Sequence, residues 1–90
     1  MGKAPLSGYV KPPDLLPGFP RAVKIRPKTV VSGYKRRRRW LDQASGRLLE
    51  WDYQHGMVEV YDSRGNHIGE FDPHTGEQTK PQDNTRSIDP

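Results

Sequence analysis

The chain has 90 residues, no cysteine, 31% hydrophobic and 29% charged residues, and a formal net charge of +4. That length allows one domain with a small core, since a chain of this size buries only roughly 60% of the surface its unfolded form exposes. Lack of cysteine excludes disulfides and thiolate metal sites, and no run approaches the ~18 apolar residues of a membrane span.

The charge is unevenly spread. Residues 1–39 hold eleven Lys/Arg against Asp14 alone, a balance of +10, whereas residues 40–90 hold four Arg/Lys and ten acids, a balance of −6. A basic end suited to an anion therefore precedes a carboxylate-rich one. The same pattern also fits a solvated basic tail on an acidic domain.

Residues 1–34 open on Met1-Gly2-Lys3-Ala4-Pro5, without the apolar stretch of a signal peptide. They hold six of the nine prolines: Pro5, Pro12, Pro13, Pro17, Pro20 and Pro27. Proline removes a backbone donor and pushes the preceding residue to extended geometry, so no long helix forms here. At most one short helical turn is expected around Pro13-Asp14-Leu15-Leu16, ended by Gly18. The rest reads as an irregular linker or wrapping segment, with Leu15, Leu16, Phe19, Val23 and Ile25 available to pack.

From Lys35 the pattern changes, and residues 35–90 are expected to form the functional domain. Turn signals at 42–46, 54–56, 62–66 and 72–76 recur at about ten-residue spacing. Between them lie strand-like runs Lys35–Leu41, Arg47–Tyr53, Met57–Tyr61, His67–Phe71 and Glu77–Lys80. Leu49, Trp51 and Tyr53 alternate against Glu50 and Asp52, and Val58 and Val60 against Met57, Glu59 and Tyr61. Period two packs one face and leaves the other for solvent or substrate. The expected fold is mainly β, a five-stranded antiparallel meander. Residues 81–90 are polar, a tail unless Arg86 or Ile88 pins it.

The densest polar constellation runs from Glu50 to Tyr61. His55 and Glu59 are four apart, which places them on one face of an extended chain. Asp52 lies three residues before His55, and the Gln54-His55-Gly56 turn brings it back toward the imidazole. Two carboxylates and an imidazole suffice for cutting RNA. A base takes the 2'-hydroxyl proton, an acid protonates the departing 5'-oxygen, and a cation steadies the phosphorane. The chemistry assigns Glu59 as base, His55 as acid and Asp52 as the group that orients His55. The plain alternative makes Asp52 and Glu59 surface charges and His55 a turn residue.

Lys35, Arg36, Arg37, Arg38 and Arg39, ended by Trp40, would make a phosphate track, or a plain basic tail. Tyr34 and Trp40 flank it, and Trp40 and Tyr61 join the expected RNA-binding set, with structural packing as the other reading of Trp40. His55, His67 and His74 have no recognised ligand spacing, and no HExxH occurs, so neither a metal nor a cofactor is expected. His67 and His74 sit beside turns and read as surface residues.

In these residues the chain resembles the cytotoxic ribonuclease domain of the rRNA-cleaving colicins and cloacin. The resemblance is carried by the basic run closing on Trp40, by Glu50-Trp51-Asp52, Gln54-His55-Gly56, Glu59 and Tyr61. Gly65, His67, Gly69, Phe71-Asp72-Pro73 and Thr75-Gly76 follow in the same order with similar gaps, covering about residues 35–80. It implies a strongly twisted antiparallel sheet and metal-independent cleavage of 16S rRNA at the decoding site of the small subunit. It implies catalytic roles for Asp52, His55 and Glu59, and a phosphate-stabilising arginine matched by Arg86. It also implies an acidic immunity protein in the producing cell, and delivery as part of a larger exported or cell-surface toxin, such as a contact-dependent growth inhibition protein, that acts in the target cell's cytoplasm. Two other functions fit the residues: a toxin nuclease acting on another RNA such as tRNA, and a non-catalytic basic RNA-binding β-domain.

Overall fold

A computed structural model describes residues 9–32 and 35–90. Eight strands follow one another: β1 (Ala22–Ile25), β2 (Val30–Ser32), β3 (Lys35–Arg36), β4 (Arg39–Asp42), β5 (Arg47–Asp52), β6 (Met57–Tyr61), β7 (His67–Phe71) and β8 (Gln78–Lys80). Six of them form one antiparallel sheet in the order β1-β4-β5-β6-β7-β8, and β2 and β3 pair separately. The mainly β, antiparallel expectation holds, with differences at the N-terminal end. The segment expected to be irregular supplies an edge strand, β1, paired to β4 from Ala22↔Asp42 to Ile25↔Arg39. No helix occurs among the described residues. At Pro13–Leu16 the chain makes only a bend, and a Leu16 to Phe19 turn follows. The expected Lys35–Leu41 strand is split, because Arg37 and Arg38 leave the ladder between β3 and β4.

The meander from β4 to β8 is built from one repeated device. Turns open at Asp42, Asp52, Asp62 and Asp72, and each Asp side chain accepts the backbone N–H two residues on, at 2.7–3.1 Å. Each turn carries a glycine with positive φ: Gly46, Gly56, Gly65 and Gly76. An Asp side chain imitates a backbone turn, and glycine enters the left-handed region without the Cβ penalty.

One sheet face carries the core: Trp40, Leu49, Trp51, Val58, Val60 and Phe71, joined by Leu16 from the N-terminal segment. A sheet's apolar face must be covered by another layer, and here the proline-rich chain provides it. Trp51 Nε1 donates to the Val10 carbonyl at 2.8 Å, Val10 N to the Tyr53 carbonyl at 2.6 Å and Gly18 N to the Pro73 carbonyl at 2.8 Å. The Val10 carbonyl thus satisfies an indole N–H that a core tryptophan would otherwise bury at a cost.

The opposite face bears a transverse row of charge. Cross-strand register sets Arg39 beside Glu50, Glu50 beside Glu59, Glu59 beside Glu70 and Glu70 beside Lys80. Like charges directly opposite destabilise a sheet, so three adjacent carboxylates require partners. Those partners build the site.

Candidate active site

The β5–β6 turn places Asp52 against His55. Asp52 Oδ1 accepts the backbone N–H groups of Gln54 and His55, and its Oδ2 lies 2.7 Å from His55 Nδ1. Partial burial opposes ionisation of Asp52, but these hydrogen bonds outweigh it and hold the carboxyl below its ordinary value of 3.8. The other three turns share the opening Asp, but carry Ser45, Gly65 and Thr75 where this one has His55. Asp52 therefore serves twice, capping the turn with one oxygen and fixing the imidazole with the other. The His55 side chain stays about half exposed, with Nε2 as its remaining nitrogen.

Glu59, on β6, is buried. Its Oε1 meets His67 Nε2 at 2.7 Å and Arg86 Nη1 at 3.3 Å. His67 is no surface residue, contrary to the expectation. It is 8% exposed, because the register shift at Val60/Tyr61 breaks the period-two alternation of β7 and sets His67 opposite Tyr61, where it packs edge-on against that ring. The Asp83 N–H donates to His67 Nδ1 at 2.9 Å. Nδ1 is therefore an acceptor, and the ring proton sits on Nε2, donated to Glu59. His74 is exposed, as expected.

Arg86 is brought in by the chain's last segment, which is pinned. Ile88 N donates to the Gly65 carbonyl at 2.9 Å, and Asn66 and Ser87 form a bridge. Gly65, at φ +90°, admits this approach because a Cβ there would collide with the Ile88 carbonyl. Arg86 Nη2 donates to the Tyr61 hydroxyl at 3.2 Å. Partial burial disfavours the guanidinium charge, but Tyr61 and Glu59 beside it more than compensate and raise its pKa. Burial raises that of Tyr61.

Asp52, His55, Glu59 and Arg86 all line one open cleft of about 820 Å³, together with Arg37 and Lys80. Sequence reasoning missed His67 and a third carboxylate, Glu70, whose role depends on strand register. Glu70 accepts from Thr79 Oγ1 at 2.6 Å and lies 3.8 Å from both His55 Nδ1 and Lys80 Nζ. Although no metal was expected, polar atoms of Asp52, His55 and Glu70 lie within 4.8 Å of one another, so this group is able to hold an ion. The Lys80 ammonium competes for the same carboxylate.

Residues 10–89 match the protein family described as Cytotoxic. The chain belongs to that family. This cytotoxic domain is 42% identical over 76 residues to colicin E3 of Escherichia coli, covering 83% of the domain and 13% of that protein. To cloacin of Escherichia coli it is 45% identical over 65 residues, 70% of the domain and 12% of that protein. To colicin-E6 of Escherichia coli it is 43% identical over 65 residues, with the same two coverages. The domain thus spans 12–13% of the length of these curated relatives.

The side chains of the basic run of this cytotoxic domain are placed in separate surroundings. Lys35 and Arg36 are exposed, and Arg37 lines the cleft, its buried Nε without a partner among the described residues. Arg38 turns to Asp14 at 3.4 Å and to the Pro13 carbonyl. Arg39 and Trp40, expected among the RNA-binding residues, are each 1% exposed. Arg39 sits in an ion pair with Glu50 at 2.8 Å, and Trp40 stacks edge-on with Trp51 in the core. Tyr61 is buried too, and its hydroxyl accepts a hydrogen bond from Arg86. Tyr34 lies outside the described residues.

Proposed function

We propose that this domain is the metal-independent ribonuclease of a larger bacterial toxin, cutting 16S rRNA at the decoding site after delivery into a competing cell. The observation that carries the reading is the convergence, in one cleft, of two prepared pairs: His55 held by Asp52, and Glu59 held by His67 and Arg86. Membership of the Cytotoxic family and the likeness to colicin E3, cloacin and colicin-E6 support the toxin assignment. The rRNA target rests on the sequence resemblance, as does an acidic immunity protein as the producer's safeguard.

In this scheme Glu59 takes the 2'-hydroxyl proton, and the 2'-oxygen attacks the adjacent phosphorus. The P–O5' bond breaks as His55 Nε2 gives its proton to the leaving oxygen. The products are a 2',3'-cyclic phosphate and a 5'-hydroxyl. Both contacts of the Glu59 carboxylate fall on Oε1, which leaves Oε2 for the incoming hydroxyl. Arg86 and Arg37 supply fixed positive charge where the phosphorane gains negative charge. Asp52 keeps Nδ1 occupied, so the imidazole presents Nε2.

The test is controlled expression in a bacterium, followed by mapping of small-subunit rRNA 3' ends, beside His55→Ala and Glu59→Ala. A single new cut near the 3' end, absent from both variants, is expected. Intact rRNA with arrested growth moves the target to another RNA, and intact rRNA with normal growth favours a non-catalytic binder. Purified domain should keep its rate in EDTA. Inhibition by EDTA, reversed by Mg²⁺, would reject the metal-free scheme and point to the Asp52–His55–Glu70 group.

A further inference from the structure

We propose that a second cleft, about 590 Å³ and lined by Arg26, Lys28 and Arg36, binds RNA backbone phosphates away from the scissile one. The inference rests on the ribonuclease reading and adds a substrate-holding site to it.

The cations of this region divide into two groups. Lys24 and Arg38 are paired with Asp14, and Arg39 with Glu50. Arg26, Lys28 and Arg36 are all exposed and make no ion pair among the described residues. Lys28 gives one hydrogen bond, at 2.6 Å, to the Pro90 backbone oxygen. Asp89 is the sole acid of the cleft lining, so positive charge prevails there. The fold gathers the three. Arg26 and Lys28 flank Pro27 in the β1–β2 connection, and Arg36 on β3 is registered against Val30 on β2. A concave set of exposed cations attracts a polyanion more than scattered ones do.

Position relative to the catalytic cleft identifies the ligand. Arg36 lines the second cleft and its chain neighbour Arg37 the catalytic one. Likewise Arg86 lines the catalytic cleft, and Asp89, three residues on, the second. The Arg36–Arg37 and Arg86–Asp89 segments therefore run from one cleft to the other. An RNA strand leaving the scissile phosphate along those segments meets Arg26, Lys28 and Arg36 with its next phosphates. A dinucleotide, with one phosphate, cannot occupy both clefts.

The experiment compares the parent domain with Arg26→Ala/Lys28→Ala/Arg36→Ala. RNA affinity is measured in the His55→Ala background against salt, using a single-stranded RNA long enough to reach both clefts. Loss of three phosphate contacts should make the log–log salt slope shallower by about 2, at roughly 0.7 per contact. In the active background, KM for long RNA should rise while kcat for a dinucleotide stays the same. Arg47→Ala and Arg64→Ala, which remove exposed charges elsewhere, should leave the slope unchanged. An unchanged slope in the triple variant would overturn the proposal, as would an equal loss on the dinucleotide. So would weakened binding of an acidic protein partner with RNA binding intact. If the parent failed to cleave but the triple variant still lost slope, the ribonuclease reading would fall and the phosphate site would stand.

Discussion

Replacing Arg39 with Met should damage the fold and leave RNA contacts alone. Arg39 Nε and Nη2 both donate to Glu50 Oε2, at 3.0 and 2.8 Å, and Nη1 donates to the Asp89 carbonyl at 2.9 Å. Both side chains are 1% exposed. Removing the guanidinium leaves a buried carboxylate with Thr29 Oγ1 as its remaining donor, at 2.6 Å, and facing Glu59 in the ladder. Breaking such a buried pair costs about 3–5 kcal/mol. A 90-residue domain, at 0.05–0.15 kcal/mol per residue, has only roughly 5–13 kcal/mol to lose. At ~4–8 °C per kcal/mol for this size, the melting temperature should fall by at least about 12 °C. Arg39→Met/Glu50→Leu should recover much of this, because it leaves no unpaired charge. The assay is urea denaturation of the single and double variants, with the RNA salt slope measured where each is folded. A cost below about 1 kcal/mol for Arg39→Met, the level of a solvated pair, would refute the reasoning. A double variant no better than the single one would do the same.

Three further outcomes follow. His67→Phe removes the donor to Glu59 and leaves the Asp83 N–H unpaired, so RNA cleavage should drop by more than about tenfold, one charge-assisted hydrogen bond or more, whereas His67→Gln, able to donate and accept, should keep more activity. Gly65→Ala should displace the Ile88 carbonyl and with it Arg86, lowering kcat, and the Arg86–Tyr61 contact should be lost in NMR spectra. The folded pKa of Asp52 lies below its ordinary 3.8. Its stabilising contribution is therefore complete above the unfolded value and is lost as pH falls through the folded one. Asp52→Asn, which still caps the turn, should flatten stability against pH below about 4 in acid titrations followed by circular dichroism.

The turn chemistry and alternation were legible locally. Asp recurs every ten residues with a Gly three or four residues after each, and Leu49, Trp51, Val58 and Val60 fall on one face because strand geometry has period two. The Asp52–His55 contact was legible as well, since both ends lie in one turn. Cross-strand register was hidden, as it depends on which residue each hairpin sets opposite which. That register, and not any motif, lined up Arg39, Glu50, Glu59, Glu70 and Lys80. It also turned a run of five cations into residues with separate fates, because Arg39 had an acid directly across the ladder, whereas Arg36 and Arg37 lay off the main sheet. The residues by themselves determined a β-meander with a His–carboxylate cluster. Only the tertiary structure decided that His67 is buried and bonded to Glu59, that a proline-rich strap closes the core, and that Arg86 reaches the cleft. Each of these joins segments far apart in the chain, and long-range contacts of that kind leave no local signal.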